Sequence, residues 1–278
     1  MVRRVLNVAE KPSVAKELAG ILSSGRASSR RGASQYNTVH EFDHQLDGGP
    51  CKMIITSVLG HLMEMEFEEQ YRKWHGCDIG ALFDAPIKNY VRDQNEDVKK
   101  NLTACVRGCS DLILWLDCDR EGEAIGFEVW EACKHCVPNI RVRRARFSAL
   151  IPRDIHYALA NLVPPDKRQS DAVLARSEID LRLGAAFTRL QTLALQNKFD
   201  GLADDGPLSY GPCQFPTMWF VASRADRIAA FRPEQFWQIK LSHTRAEGAA
   251  ANGDAAAEGN EENTGMQPAV GGGGAPLR

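Results

Sequence analysis

No apolar run in the 278-residue chain approaches the ~18 residues that a membrane-spanning helix requires. The first apolar stretch, VLNVA at 5–9, is too short for the core of a secretory signal. A chain that is neither secreted nor membrane-spanning is expected. Its eight cysteines are scattered at 51, 77, 105, 109, 118, 133, 136 and 213, with no disulfide framework in their spacing, so they read as reduced. Excess charge is also missing, with 34 basic and 36 acidic side chains overall. Five of the acids but one of the bases lie from residue 246 onward, so residues 1–245 hold 33 basic and 31 acidic side chains. Such a balance excludes a binder driven by bulk positive charge, and a polyanionic partner would have to be held by local clusters.

What is present alternates strand and helix. RVLNVAEKPSVAKELAGIL predicts a buried strand, a turn and a helix whose Val14, Leu18, Ile21 and Leu22 share a face, with Pro12 in its first turn. CKMIITSVLGHLM reads as a second strand broken by Gly60. DLILWLD is a third, followed by a helix with Ile125, Val129, Ala132 and Cys133 on one side, and IRVRRARF is strand-like with many arginines. This order predicts an α/β fold with a largely parallel sheet over residues 1–150. Ligand sites in such sheets form beyond the carboxyl ends of the strands, where Glu10 and the loop Asp117 to Glu121 both fall. Residues 151–235 read as a mainly helical domain, with a long amphipathic run at about 170–197 in which Ile179, Leu183 and Ala186 face inward. FWQIKLSHTR, over 236–245, looks like a strand opening a further domain, and residues 246–278 form an Ala/Gly/Glu/Asn-rich segment expected to be a disordered linker.

The segment LWLDCDREGEAIGF places Asp117, Asp119 and Glu121 at alternate positions, which in an extended chain share one side. Carboxylates about 7 Å apart repel by roughly 2 kcal/mol per pair at an effective dielectric near 20. Protonation or a divalent cation relieves that, and oxygen-only ligands suit Mg²⁺ with phosphate as a co-ligand. Cys118, between the aspartates, is expected to face the core. A solvated acidic loop with Arg120 as counter-ion is the alternative.

VAEKPSVAKELAGIL and LWLDCDREGEAIGFEV resemble the two signature segments of the TOPRIM fold, and TSVLGHLMEMEF, RARFSAL, EIDLRLGAAFTRLQTLALQ and LSYGPCQFPT resemble the type IA DNA topoisomerases. The resemblance covers residues 5 to about 245 and implies an ATP-independent isomerase that cuts one DNA strand, passes another and reseals. By that likeness Glu10 is a general acid-base at the leaving oxygen and Lys11 stabilises charge on the scissile phosphate. Asp117, Asp119 and Glu121, with Glu10, would position Mg²⁺. Arg176, Asp180, Arg182, Ser209, Gln214, Arg146 and His61 would contact single-stranded DNA. The implied partners are a RecQ-type helicase and an OB-fold accessory protein, and the implied location is the nucleus, with mitochondria as a second.

Alternation puts Arg144 and Arg146 on one side of their strand, a phosphate patch, and bland readings stand beside these: an exposed Glu-Lys pair, Arg-Asp pairs on a solvated helix, an arginine-bearing edge strand that aids solubility, and a structural histidine. Cys133-x-x-Cys136 lacks a second pair and does not read as a zinc site. Ala149, Ser177 and Trp219 depart from the residues common in the family. The attacking tyrosine of the family sits in an Ile-x-Tyr-x-Arg-Thr context, and none of Tyr36, Tyr71, Tyr90, Tyr157 and Tyr210 has it. A fragment that binds a strand without cleaving it is therefore expected. The alternatives are a non-catalytic single-strand-binding remnant or another TOPRIM nuclease or primase.

Overall fold

The computed structural model describes residues 2–196, 198–199 and 206–242, so the linker expected over 246–278 lies outside the described residues. The chain divides into two units, Met1–Ala229 and Ala230–Arg278.

The first unit opens with β1 (Arg3–Ala9) and α1 (Pro12–Ser23). An exposed strand β2 (Ser28–Arg31), β3 (Thr38–Leu46) and β4 (Gly49–Ser57) follow. Next come β5 (Met63–Phe67), the short α2 (Glu69–Arg72), β6 (Ile87–Val91), α3 (Glu96–Val106) and β7 (Asp111–Trp115). The unit continues with α4 (Arg120–Lys134), β8 (Arg141–Arg144), α5 (Pro152–Ala160), α6 (Lys167–Leu195) and α7 (Gln214–Ala229). The main sheet runs β2-β3-β4-β1-β7-β8. Its β4, β1, β7 and β8 are parallel, whereas β3 and β2 are antiparallel, so the sheet is mixed with mostly parallel strands. The antiparallel arm arises at a tight turn in which Asp47 and Gly48 both take positive φ, the geometry that suits a two-residue hairpin.

Successive side chains of β1 bury themselves on opposite sides, as a central strand covered on both faces requires. Val5, Ile55, Ile113 and Trp115 pack with Leu18 of α1 and Ile155 of α5. Leu6, Val8, Ile54, Leu112 and Leu114 pack with Leu102 of α3 and Val129 of α4. At the amino ends of the strands Arg3, Arg141 and Arg143 surround Asp111 and Asp47. Burial pushes the Asp111 carboxyl up, but hydrogen bonds from Arg3, Ser110 and Arg141 outweigh it and hold the group well below the usual range.

The two-stranded sheet β5-β6 packs with α6 through Phe67, Leu82, Ala85 and Ala186. The buried stripe of α6 passes through Val173, Ala186, Arg189 and Thr192, and Ile179, expected to face inward, is 53 % exposed. Residues 230–242 carry no helix or strand, so the strand expected over 236–245 is not formed in its described part, where no neighbouring strand offers it hydrogen bonds. Among the described residues no helix is long and apolar enough to cross a membrane.

Candidate active site

Three strands end at one level, because Ala9 of β1 is paired with Ser57 of β4 and with Trp115 of β7. The Ala9 carbonyl accepts the Val58 N–H at 2.9 Å and the Glu10 carbonyl accepts the Gly60 N–H at 3.4 Å. Gly60 has φ +80°, a conformation that side-chain-bearing residues avoid, so the loop after β4 can fold back beside β1. Glu10 Oε2 then accepts the Asp117 N–H at 3.2 Å across 107 residues of sequence. Lys11 Nζ lies 3.6 Å from Glu10 Oε1 and is 60 % exposed, facing outward beside the carboxylate.

Asp119 caps α4: its backbone is extended and its Oδ1 accepts the Gly122 N–H at 2.8 Å. An N-cap carboxylate satisfies a free helix donor and complements the helix dipole. Because the helix begins at Arg120, the alternation expected through Glu121 stops at Asp119. The three carboxylates therefore do not share one side. Cys118 is exposed rather than in the core, its thiol donating to the Phe147 carbonyl at 3.2 Å. Gly122 packs directly against the Asp117 backbone, and a Cβ there would collide with the Asp117 carbonyl oxygen. From behind, the buried Arg144 donates to the carbonyls of Asp117 (2.5 Å) and Ala145 (2.8 Å) and to Glu123 Oε1 (3.1 Å). The arginine strand is thus no uniform phosphate patch: Arg144 is wholly inside, Arg141 and Arg143 bind aspartates, and Arg146 alone of the four is exposed with no partner among the described residues.

Glu121 turns into a different cluster. Its Oε1 accepts Arg176 Nη2 at 2.9 Å and its Oε2 lies 3.1 Å from His61 Nε2. His61 Nδ1 is 2.7 Å from Glu128 Oε1, and Glu128 Oε2 accepts the N–H groups of Leu62 and Met63. The bond to Glu128 dominates over burial and, with the Glu128 charge and the Glu121 bond, raises the His61 pKa to about 9. The imidazole is consequently a cation at neutral pH, donating to both carboxylates. Arg176 Nε also approaches Asp180 at 3.9 Å. His61, Glu121, Glu128 and Arg176 line a cleft of about 570 Å³ bounded by α4, α6 and the β5-β6 sheet.

The donor set can be tested for Mg²⁺. Asp117 and Asp119 are exposed and oxygen-bearing, and the Asp117 N–H is bonded to Glu10, which fits a cation that takes one or two carboxylates and keeps its waters. A three-carboxylate cage is not assembled: among the described residues no three His, Cys, Asp or Glu side chains converge for a metal ion, and both Glu121 oxygens are engaged by cationic side chains.

The other expected strand contacts divide. Arg182 is spent on Glu178 and on the Leu82 and Ala85 carbonyls, and Arg189 on the carbonyls of Tyr71, Arg72 and Lys73, so both brace the connection between β5 and β6 against α6. Ser209 and Gln214 are brought together, Gln214 Nε2 lying 3.5 Å from Ser209 Oγ. Tyr210 between them ties its N–H to Thr188 Oγ1 at 2.8 Å, anchoring this segment on α6. Cys133 is fully buried and burial pushes its thiol up to about 12, consistent with a core residue. Sequence reasoning missed Glu128, Gly122 and the Glu123–Arg144 pair. A glycine between Glu121 and Glu123 was the available sign of close packing, whereas nothing separates Arg144 from its neighbouring arginines before the strand is placed.

Comparisons with known proteins agree with this arrangement. Residues 5–150, more than half of the chain, match the model of the Toprim domain, and residues 164–267 match that of a DNA topoisomerase domain. DNA topoisomerase 3-alpha of Arabidopsis thaliana is 52 % identical over 250 residues, covering 88 % of this chain and 27 % of that protein. DNA topoisomerase 3-alpha of Homo sapiens is 49 % identical over 247 residues, covering 89 % and 25 %. The chain thus spans about a quarter of the length of these curated relatives. Full-length topoisomerase I of Thermotoga maritima shares the fold, with a TM-score of 0.50 at 23 % identity over 82 % of this chain and 31 % of that one. The chain belongs to the Toprim domain family, and the segment that follows is similar to DNA topoisomerases.

Proposed function

We propose that the chain forms the Mg²⁺-holding and strand-holding part of a type IA DNA topoisomerase, and that alone it binds single-stranded DNA without cleaving it. The observation that carries this reading is the junction of Glu10 with the Asp117 N–H, which brings two sequence-distant motifs together at adjacent strand exits. In this assignment residues 1–150 supply the TOPRIM domain and residues 151–235 part of the helical DNA-binding domain. Asp117 and Asp119 would hold Mg²⁺ beside Glu10, and the cation would supply neutralisation of phosphate charge. Lys11, outward beside Glu10, meets the scissile phosphate. Glu10 exchanges a proton at the leaving 3′ oxygen, a role open to it because one of its oxygens is free of the Asp117 amide. Arg176, Ser209, Gln214 and Arg146 hold the strand through its phosphates, contacts that position and carry no sequence preference. Arg182 remains a brace and Asp180 orients Arg176.

Binding without cleavage is favoured by the tyrosines. Tyr90 donates to Glu64 and Tyr210 is packed between Phe187 and Phe215, while Tyr36 and Tyr157 stand exposed. Among the described residues no tyrosine hydroxyl is bonded to Glu10, Lys11 or the acidic loop. The topoisomerase-domain match over 164–267 favours this reading over a nuclease or primase. Eukaryotic relatives support a nuclear place of action; mitochondria as a second location, and a RecQ-type helicase and an OB-fold protein as partners, rest on the motif resemblance alone. The test incubates the chain with a 3′-labelled oligo-dT and Mg²⁺, reading anisotropy and then a denaturing gel. Saturable binding with no covalent adduct is expected. Absence of binding overturns the strand-holding reading, and a covalent adduct overturns the reading of binding without cleavage.

A further inference from the structure

Glu121 sits in the Asp-x-Asp-x-Glu motif yet is held by two cations from different elements. His61 comes from the loop after β4 and Arg176 from the middle of α6. Each takes a different oxygen: Arg176 Nη2 is 2.9 Å from Oε1 and His61 Nε2 is 3.1 Å from Oε2. The grips are unequal. His61 is fastened by Glu128, itself tied to two backbone N–H groups, so that side cannot swing away without breaking a chain of hydrogen bonds. Arg176 is 60 % exposed, and its second carboxylate, Asp180, is only at 3.9 Å. Of the two, Arg176 is the partner that can leave.

Resting on the strand-binding reading above, we infer that the Arg176–Glu121 ion pair is a latch that couples strand binding to cation binding. In the free protein each group masks the other: Arg176 is a phosphate-binding guanidinium already holding a carboxylate, and Glu121 is a carboxylate already neutralised. A strand phosphate offers Arg176 a bidentate anionic partner in place of Glu121. Its departure frees Oε1, while His61 keeps Oε2 and fixes where the carboxylate points. The freed oxygen stands in the first turn of α4, two residues after Asp119, and adds a negative charge next to the pair of aspartates. A divalent cation is then bound more tightly with the strand than without it. Coupling between two ligands is reciprocal, so the cation must tighten strand binding by the same factor. The latch also explains why the motif's three carboxylates are not gathered in the free protein: the repulsion expected among them is removed by sending one to the two cations.

The experiment measures oligo-dT binding by anisotropy with and without Mg²⁺ at matched ionic strength, and Mg²⁺ binding by calorimetry with and without oligo-dT. For the unaltered chain both routes should return one common coupling factor, about 5-fold or more. Glu121→Gln should bind oligo-dT more tightly than the unaltered chain when Mg²⁺ is absent, because Arg176 is no longer held by a carboxylate, and its coupling factor should fall to about one. Arg176→Gln should bind Mg²⁺ more tightly than the unaltered chain when DNA is absent. If the unaltered chain binds oligo-dT but Glu121→Gln binds it no better without Mg²⁺, the latch is overturned and the proposed function stands. Failure of both proteins to bind oligo-dT overturns the proposed function and the latch with it.

Discussion

At the scale of single residues, Asp119 does two jobs that substitution can separate. Asparagine is as good an N-cap as aspartate, whereas alanine is not. Asp119→Asn should weaken Mg²⁺ binding, read by calorimetry, while leaving the urea midpoint nearly unchanged. Asp119→Ala should lose the same binding and also about 1 kcal/mol of stability. An Asn variant that binds Mg²⁺ as the unaltered chain does would remove Asp119 from the metal site. His61 makes a pH prediction. Its pKa is raised from 6.5 to about 9, so its contribution is fully present below about 6.5 and is lost as pH rises through about 9. The stability difference between the unaltered chain and His61→Gln should be larger at pH 6 than at pH 9.5, and equal differences would show that the imidazolium is not held by Glu128 and Glu121.

Elements join through close approaches that tolerate no extra atoms. The first turn of α4 meets the end of β7 where Gly122 lies on the Asp117 backbone. Gly122→Ala should therefore cost about 2 kcal/mol or more and displace the loop that carries both aspartates. Gly20 in α1 is the control, since a Cβ there meets nothing within 4 Å. Gly20→Ala should stabilise the chain by about 0.5–1 kcal/mol through helix propensity. Chemical denaturation of the pair separates backbone crowding from a general response to losing glycine. The buried Arg144–Glu123 pair binds β8, β7, α4 and, through the Asp166 N–H at 3.2 Å, the start of α6. Arg144→Leu leaves Glu123 buried and unpaired, so a loss of about 3–5 kcal/mol is expected. Much of this was legible beforehand: the positions of α1, α4, β1 and β7 follow from apolar period and turn residues. The antiparallel arm β2-β3 and the β5-β6 sheet were not, because β2 is polar and exposed and the strand signals around Gly60 run together in one apolar stretch.

For the whole molecule, near-neutral charge sets how the chain meets a polyanion. With few free cations at the site, about three phosphate contacts are expected from Lys11, Arg146 and a released Arg176. That number implies a slope of about −2 for log affinity against log salt on single strands. A much steeper slope in oligo-dT titrations would mean that the strand is held by a wider basic surface than the strand exits provide.

Residue order by itself determined which side chains could do chemistry and where the chain would present them, because apolar period decides strand and helix, and parallel strands expose their carboxyl ends to ligands. It determined Glu10, Lys11, Asp117 and Asp119 as neighbours in kind, at the exits of two buried strands. Only the tertiary structure decided which charges are free. Four arginines within 141–146 and four on α6 look alike as letters, yet packing gives Arg144, Arg182 and Arg189 carbonyl groups to hold and leaves Arg146 in water. The same is true of Glu121, whose partners His61 and Arg176 come from 60 and 55 residues away in sequence and whose role depends on what they let go. A charge acquires its function from its counter-ion, and counter-ions are brought by the fold across distances that no local pattern spans.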